Sequence, residues 1–463
     1  MPAILPRFIL LLVLVACPAM AQERIVPEDQ AQLTFSFAPV VQSTVPGVVN
    51  IFASRVVAQR VSPFADDPFF SQFFRNLDRG VPRVQNSLGS GVIVSPDGIV
   101  VSNYHVVGRA TEIRVVLSDR REFEAEILLA DENADLAIIR LLGAEDLPAL
   151  PFADSDAAEV GDLVLAIGNP FGVGQTVSSG IVSGLARSGG RLADQAGYYI
   201  QTDAPINPGN SGGALVDMSG ALLGINTSIL TRSGGSNGIG FAIPSNLVQQ
   251  YVGQAREGHE SFRKPWAGIV VQQVEASLAA ALGQTLPQGV VVADIHPESA
   301  FAEAGITLGD VILSVNGMPV NAPAELDFRL ATLGPGSRAE LVWLHDGQKV
   351  EGRISLAEAP DVPPASPIRL NTQNVFDGLT VATINPRLIE AEGLSLDSEG
   401  VIVLDVSGIA RNSGLRPGDV LESVNGESLR TSADAERALR GGSRNWELAL
   451  KRDNRILRIR LRG

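Results

Sequence analysis

Three short segments of this 463-residue chain carry side chains that belong together chemically. Ser102-Asn-Tyr-His105-Val-Val puts a histidine at the end of an apolar run. Asp131-Glu-Asn-Ala-Asp135-Leu-Ala-Ile-Ile puts an acid just before a second run, and Thr202-Asp-Ala-Pro-Ile-Asn-Pro-Gly209-Asn-Ser211-Gly-Gly-Ala-Leu puts a serine in a glycine-lined loop. A serine hydroxyl is a weak nucleophile until an imidazole takes its proton, and the imidazole needs a carboxylate to fix its tautomer. Ser211, His105 and Asp135 supply those three parts. The glycines leave the N–H groups of Gly209 and Ser211, with Asn210 between them, free to face a developing oxyanion. Each residue also has a plainer reading: His105 as a satisfied strand-end histidine, Asp135 as a strand-start acid, the glycine loop as a phosphate nest. The combination favours the triad, because no nucleotide motif accompanies the loop.

The elements that must position these groups read as short strands. Gly91–Ser95, the turn Pro96-Asp97-Gly98 and Ile99–Ser102 form a hairpin with turn chemistry at its tip. Further β-branched runs recur at Glu112–Leu117, Ala137–Leu142, Leu163–Ile167, Tyr198–Gln201 and Ala221–Asn226. Many strands without intervening helices predict a barrel or sandwich of about 200 residues, and the chain order His, Asp, Ser matches a chymotrypsin-type double β-barrel. Between Ser54 and Ser87 the pattern fails, and a long loop carrying Phe69, Phe70, Phe73 and Phe74 is expected.

Two polar stretches, 253–264 and the proline-rich 357–372, read as linkers. The pieces they separate repeat. Ala304-Gly-Ile-Thr-Leu-Gly-Asp-Val-Ile-Leu-Ser-Val-Asn-Gly317 aligns with Ser413-Gly-Leu-Arg-Pro-Gly-Asp-Val-Leu-Glu-Ser-Val-Asn-Gly426. Each copy offers a Gly-Asp turn, a buried strand and an Asn-Gly hairpin turn, so one small module occurs twice.

Composition removes several other functions. The net charge of −15 argues against a grip on nucleic acid or an anionic membrane. The one cysteine, Cys17, lies in the N-terminal apolar stretch, so the rest of the chain has no disulfide and no thiol nucleophile. The four histidines form no HExxH pattern and no GxxxxGK[ST] occurs, so neither a metal, a cofactor nor ATP is implied. Residues 1–21 read as a secretory signal: Arg7, a short apolar core from Phe8 to Ala16, and an A-x-A site at Ala19–Ala21. Leu14-Val-Ala-Cys17 offers lipid anchoring at Cys17 as the minor alternative. Either route exports the chain, and a bacterial periplasm is the expected destination.

SNYHVV, NADLAII and GNSGGAL, in that order and followed by a twin module, resemble the HtrA/Deg serine proteases. The resemblance covers nearly the whole chain after the signal. It implies a mainly β protein: a trypsin-like domain over 33–252, then two α+β PDZ domains over 265–356 and 373–463. By position it implies that Ile206, Ile229 and Ile239 line the pocket for a small aliphatic residue before the scissile bond. It implies that Asn226, Thr227, Ser228 and Ile229 form the edge that pairs with substrate, and that Arg187 lies in a regulatory sensor loop. Trp266, Ala267, Gly268 and Ile269 match a carboxylate-binding PDZ loop. Phe376-Asp377-Gly378-Leu379 takes that place in the second copy, where Asp377 would repel a carboxylate. The family pattern further implies a homo-oligomer, a trimer or a multiple of one, to which Phe35 and Phe37 could contribute.

The expected activity is ATP-independent cleavage of unfolded or damaged envelope proteins, controlled by C-terminal peptides at the first PDZ domain. Two rivals stand beside it. A holdase chaperone would need no Ser211, and a regulatory site-specific protease would act only once a peptide docks.

Overall fold

A computed structural model of the chain describes residues 36–57, 83–169, 175–185, 197–207, 209–229, 238–441, 445–452 and 455–462. The expected signal, Cys17, Phe35, the four loop phenylalanines and Arg187 lie outside the described residues.

At the Pro96-Asp97-Gly98 turn, Gly98 takes φ +90 and its N–H closes onto Ser95 O at 3.1 Å. The strands it joins, β2 (Arg83–Ser95) and β3 (Ile99–Ser102), belong to a closed six-stranded barrel with β1 (Val48–Val57), β4 (Glu112–Val116), β5 (Glu122–Asp131) and β6 (Leu136–Leu141). The β1–β2 ladder runs to Val57 opposite Arg83, so strand pairing covers Ser54–Val57 at one end and Arg83–Ser87 at the other end of the segment expected as a loop. A second closed barrel comprises β7 (Leu163–Gly168), β8 (Thr176–Gly184), β9 (Ile200–Thr202), β10 (Ala214–Val216), β11 (Leu222–Ile229) and β12 (Gly240–Pro244).

Strand alternation decides what each barrel buries. Val49, Ile51, Ile93, Val100, Val115 and Ile139 fill the first interior. Their chain neighbours Val48, Val92, Val101 and Ile138 point the other way and pack with Leu165, Ile167, Ala214 and Phe241 of the second barrel. One apolar seam therefore locks the barrels together. Helix α1 (Ala38–Thr44) precedes the first barrel, the four-residue α2 (Tyr104–Val107) follows β3, and α3 (Ser245–Arg256) closes the seam with Val248, Tyr251 and Val252.

The helix runs four residues into the first expected linker, and the chain then folds back on it. Gln254 holds Arg263 through both backbone groups, at 2.8 and 2.7 Å. The second expected linker also packs: Ile368–Arg369 pairs with Leu379–Thr383, and Thr383 N–H donates to Ala365 O at 2.8 Å. Buried Asn385 explains this, because its Nδ2 reaches both Asp361 and Pro363 O.

The twin modules share one strand order, Ile269–Gln273, Val290–Ile295, Val311–Val315, Arg338–His345, Gln348–Ser355 in the first and Leu379–Thr383, Val401–Val406, Val420–Val424, Asn445–Arg452, Arg455–Arg462 in the second. The repeated Asn-Gly turns have positive φ at both residues, Asn316 +48 and Gly317 +77 against Asn425 +51 and Gly426 +83. That is the type I′ geometry a two-residue hairpin requires.

Candidate active site

The pairing of β3 with β6, Ser102 opposite Ala137, brings the residues after one strand beside those before the other. His105 stands in α2 rather than on the strand itself. Asp135 takes φ +53, a left-handed conformation uncommon outside glycine, and Asn103 Nδ2 holds its carbonyl at 2.9 Å. His105 Nδ1 lies 2.9 Å from both carboxylate oxygens of Asp135, and the His105 N–H donates to Oδ1 at 3.0 Å. Thr227 Oγ1 donates to Oδ2 at 2.6 Å. Burial alone would push the Asp135 pKa up. The His105 ring, its hydrogen bond, the Thr227 hydroxyl and the His105 N–H together outweigh that and hold it below the ordinary value.

The second barrel supplies Ser211, and hydrogen bonds to the first barrel fix its loop. Ser90 of β2 donates its N–H to Ser211 O at 2.9 Å and its hydroxyl to Gly209 O at 2.5 Å. Ser102 Oγ in turn donates to Ser90 O at 2.8 Å. Gly212 takes φ +79, and a Cβ there would strike Ser90 O and Ser102 Oγ, so only glycine fits between the barrels. Ser211 Oγ donates to Thr227 O at 3.1 Å. Among the described residues the N–H groups of Gly209 and Ser211 meet no acceptor. Asn210 departs from expectation: its N–H is turned onto Asn207 O at 3.0 Å and cannot face the same anion.

Two substrate-site expectations change as well. Ile206 is 1% exposed and belongs to the core of the second barrel, with Cδ1 against Gly240, so it is no open pocket wall. Asn226 is fully buried, and its backbone N–H and C=O bind Gly213 O and Gly212 N–H at 2.9 and 2.8 Å. It therefore braces the nucleophile loop instead of offering an edge. The Thr227 side chain serves Asp135. Ser228 and Ile229 continue β11 opposite Phe241 and Gly240, beyond the end of β10 at Ala214–Ile225, and Ile239 packs half-buried against the inter-barrel seam.

Sequence reasoning missed Ser90 and Asn103 as braces. A glycine-flanked serine in Leu-Gly-Ser90-Gly was the available signal for the first; nothing local marks the second.

Residues 89–225 match the trypsin-like peptidase domain, and residues 251–356 and 402–452 each match the PDZ domain. The periplasmic serine endoprotease DegP of Escherichia coli (strain K12) is 38% identical over 433 residues, covering 88% of each chain. The chain belongs to the HtrA/Deg family of serine endoproteases. The periplasmic pH-dependent serine endoprotease DegQ of Escherichia coli (strain K12) is 35% identical over 435 residues, 94% of this chain and 92% of its own. A solved structure of the HtrA-type protease AlgW with a decapeptide is 37% identical, spans 70% of this chain and 99% of its own, and superposes with a TM-score of 0.51.

As an HtrA/Deg member the chain is a serine endopeptidase whose double barrel is followed by two PDZ domains. Its relatives are named periplasmic, and among the described residues no helix is long and apolar enough to cross a membrane. In the first PDZ domain Gly268 takes φ +61, and among the described residues the N–H groups of Ala267 and Gly268 meet no acceptor. Ile269 begins the strand paired with Ile295. Trp266 is buried edge-on against His296, with its ring packed against Gly268. In the second copy Phe376 is core, and Asp377 Oδ1 accepts the Thr372 N–H at 3.1 Å.

Proposed function

We propose that this HtrA/Deg member degrades unfolded or damaged proteins of the bacterial envelope without ATP, with His105, Asp135 and Ser211 as its catalytic triad. The observation that carries the reading is the His105–Asp135 contact, made across β3 and β6 and closed by Thr227 from the other barrel. Ser211 Oγ attacks the scissile carbonyl as its proton passes to His105 Nε2. The N–H groups of Gly209 and Ser211 hold the oxyanion, His105 returns the proton to the leaving amine, and water then releases the acyl group from Ser211. Asp135 stays ionised throughout, which its lowered pKa supports. An extended substrate pairs with the backbone of Thr227, Ser228 and Ile229.

Control enters through the first PDZ domain, where the N–H groups of Ala267 and Gly268, without an acceptor among the described residues, suit a C-terminal carboxylate. Arg187 acts in the loop that senses this state. The chain is exported by residues 1–21, with lipid anchoring at Cys17 the minor route, and it works as a trimer or a multiple of one.

The test uses protein from Gln22 onward with unfolded β-casein, without ATP or metal, with and without an apolar C-terminal peptide. Cleavage that the peptide stimulates is expected. Silence in both conditions would move the holdase or single-substrate readings forward.

A further inference from the structure

The turn that presents Asp135 is itself built by an acid. Asp131, the last residue of β5, accepts at Oδ1 from the N–H groups of Asn133 and Ala134, at 2.8 and 3.3 Å. Its Oδ2 accepts from the Tyr251 hydroxyl of α3 at 2.7 Å. A carboxylate is acceptor-only and takes several donors at once, which suits this junction of turn and helix. Tyr251 is buried, and burial, with the Asp131 charge beside it, pushes its phenol pKa well up, so it remains a donor. Its ring stacks on Phe262, with centroids 3.8 Å apart and planes at 4°. Phe262 belongs to the segment that folds back along α3, whose Glu260 O also accepts the Ala130 N–H at 3.4 Å. The neighbouring residues Ala130 and Asp131 are thus both held by the end of the protease domain. The chain goes on from there into the first PDZ domain.

We infer that Asp131 and Tyr251 are positioning residues for the catalytic acid, and that Phe262 backs Tyr251 in that task. The inference rests on the triad reading of His105, Asp135 and Ser211. Asp135 must keep a left-handed backbone while its carboxylate meets two groups of His105 and the Thr227 hydroxyl. Aspartate adopts this conformation in turns held by local hydrogen bonds, and here the Asp131 carboxylate supplies them through Asn133 and Ala134. Asn103 fixes the Asp135 carbonyl, β6 fixes the chain after it, and the Asp131 turn fixes the chain before it. Tyr251 anchors that turn to the helix that seals the barrel seam. Loss of the anchor lets the carboxylate drift, and geometric errors of about 1 Å cost on the order of a hundredfold in rate.

The experiment measures kcat and KM of the full chain on one peptide substrate, with the melting transition of each variant recorded alongside. Tyr251→Phe keeps the ring and its stacking and removes only the hydroxyl; kcat is expected to fall about tenfold with KM unchanged. Asp131→Ala is expected to fall further. Asp131→Asn should recover most of that loss, because its side-chain oxygen still accepts the turn N–H groups. Phe262→Ala should lower kcat less than Tyr251→Phe does. Unchanged kcat in Tyr251→Phe and Asp131→Ala would overturn the inference, as would an Asp131→Asn no better than Asp131→Ala. Ser211→Ala and His105→Ala run in parallel: if they still cleave, the triad reading has failed. If they are inactive while the Asp131 and Tyr251 variants match the unaltered enzyme, only the positioning role has failed.

Discussion

The hydroxyl of Thr227, on the second barrel, donates at 2.6 Å to the carboxylate of Asp135, on the first. The acid that orients His105 is therefore completed only when the barrels meet. Thr227→Val keeps the shape and removes this donor, leaving Oδ2 of the half-buried carboxylate with the His105 ring alone, and a hydrogen bond to a charged group contributes about 1.5–3 kcal/mol. We expect kcat to fall about tenfold with KM unchanged, and Thr227→Ser to restore it. Steady-state kinetics on a peptide substrate checks this. Equal rates for the Val and Ser variants would remove Thr227 from the site.

Acid should act on the same carboxylate. The folded-state pKa of Asp135 lies below the ordinary 3.8, so its ionised form favours the folded protein. That contribution is fully present above the unfolded value and is lost as pH falls through the folded pKa. Asp135→Asn lacks it. Unfolding of the protease domain by urea, followed from pH 6 down to pH 2, should show the two proteins converging in stability below about pH 3.8. A gap that stays constant over the whole range would contradict the assigned shift.

Gly212 tests the seam at the nucleophile loop. A methyl group there meets Ser90 O and Ser102 Oγ, both held in hydrogen bonds, and the backbone has φ +79. Gly212→Ala should destabilise the protease domain by about 2–4 kcal/mol and abolish cleavage. Thermal unfolding and activity on casein would show it. A stable, active variant would mean that the loop rearranges freely.

Arg329 ties the first PDZ domain to the protease domain. Its guanidinium pairs with Asp156, lies 5.5 Å from the Tyr198 ring, and is nearly buried; Tyr198 itself stacks on Phe328 at 4.0 Å. Arg329→Met keeps the stem and removes the charge. Weakening the contact by about 1–2 kcal/mol should raise limited proteolysis of the segment between the domains several-fold, because cleavage follows the open population. An unchanged rate would show that the contact does not hold the domains together.

Much of this was legible in the sequence because local chemistry and global fold agree at those positions. The hairpin at Gly98, the twin Asn-Gly turns and the strands beside His105 and Asp135 follow from turn residues and β-branched runs. What escaped were groups whose partners lie far along the chain. The family resemblance put Asn226 on the substrate edge, but its backbone is taken by Gly212 and Gly213. Ile206 looked like a pocket wall, yet barrel closure places it in the core. Residues 257–263 are polar enough to read as a linker, and only Phe262 hints that they pack. The acid at Asp131 had a local signal, an Asx turn in Asp-Glu-Asn, while its partner Tyr251 stands 120 residues away and had none.

The most direct test of the account is covalent labelling of the nucleophile. Full-length mature protein, with an apolar C-terminal peptide present, is treated with an organofluorophosphonate and the modified residue is located by peptide mass mapping. We expect one phosphonylated site, Ser211, with labelling lost in His105→Ala and strongly slowed in Asp135→Asn. A label on another serine, or labelling of Ser211 that ignores the loss of His105, would contradict the triad.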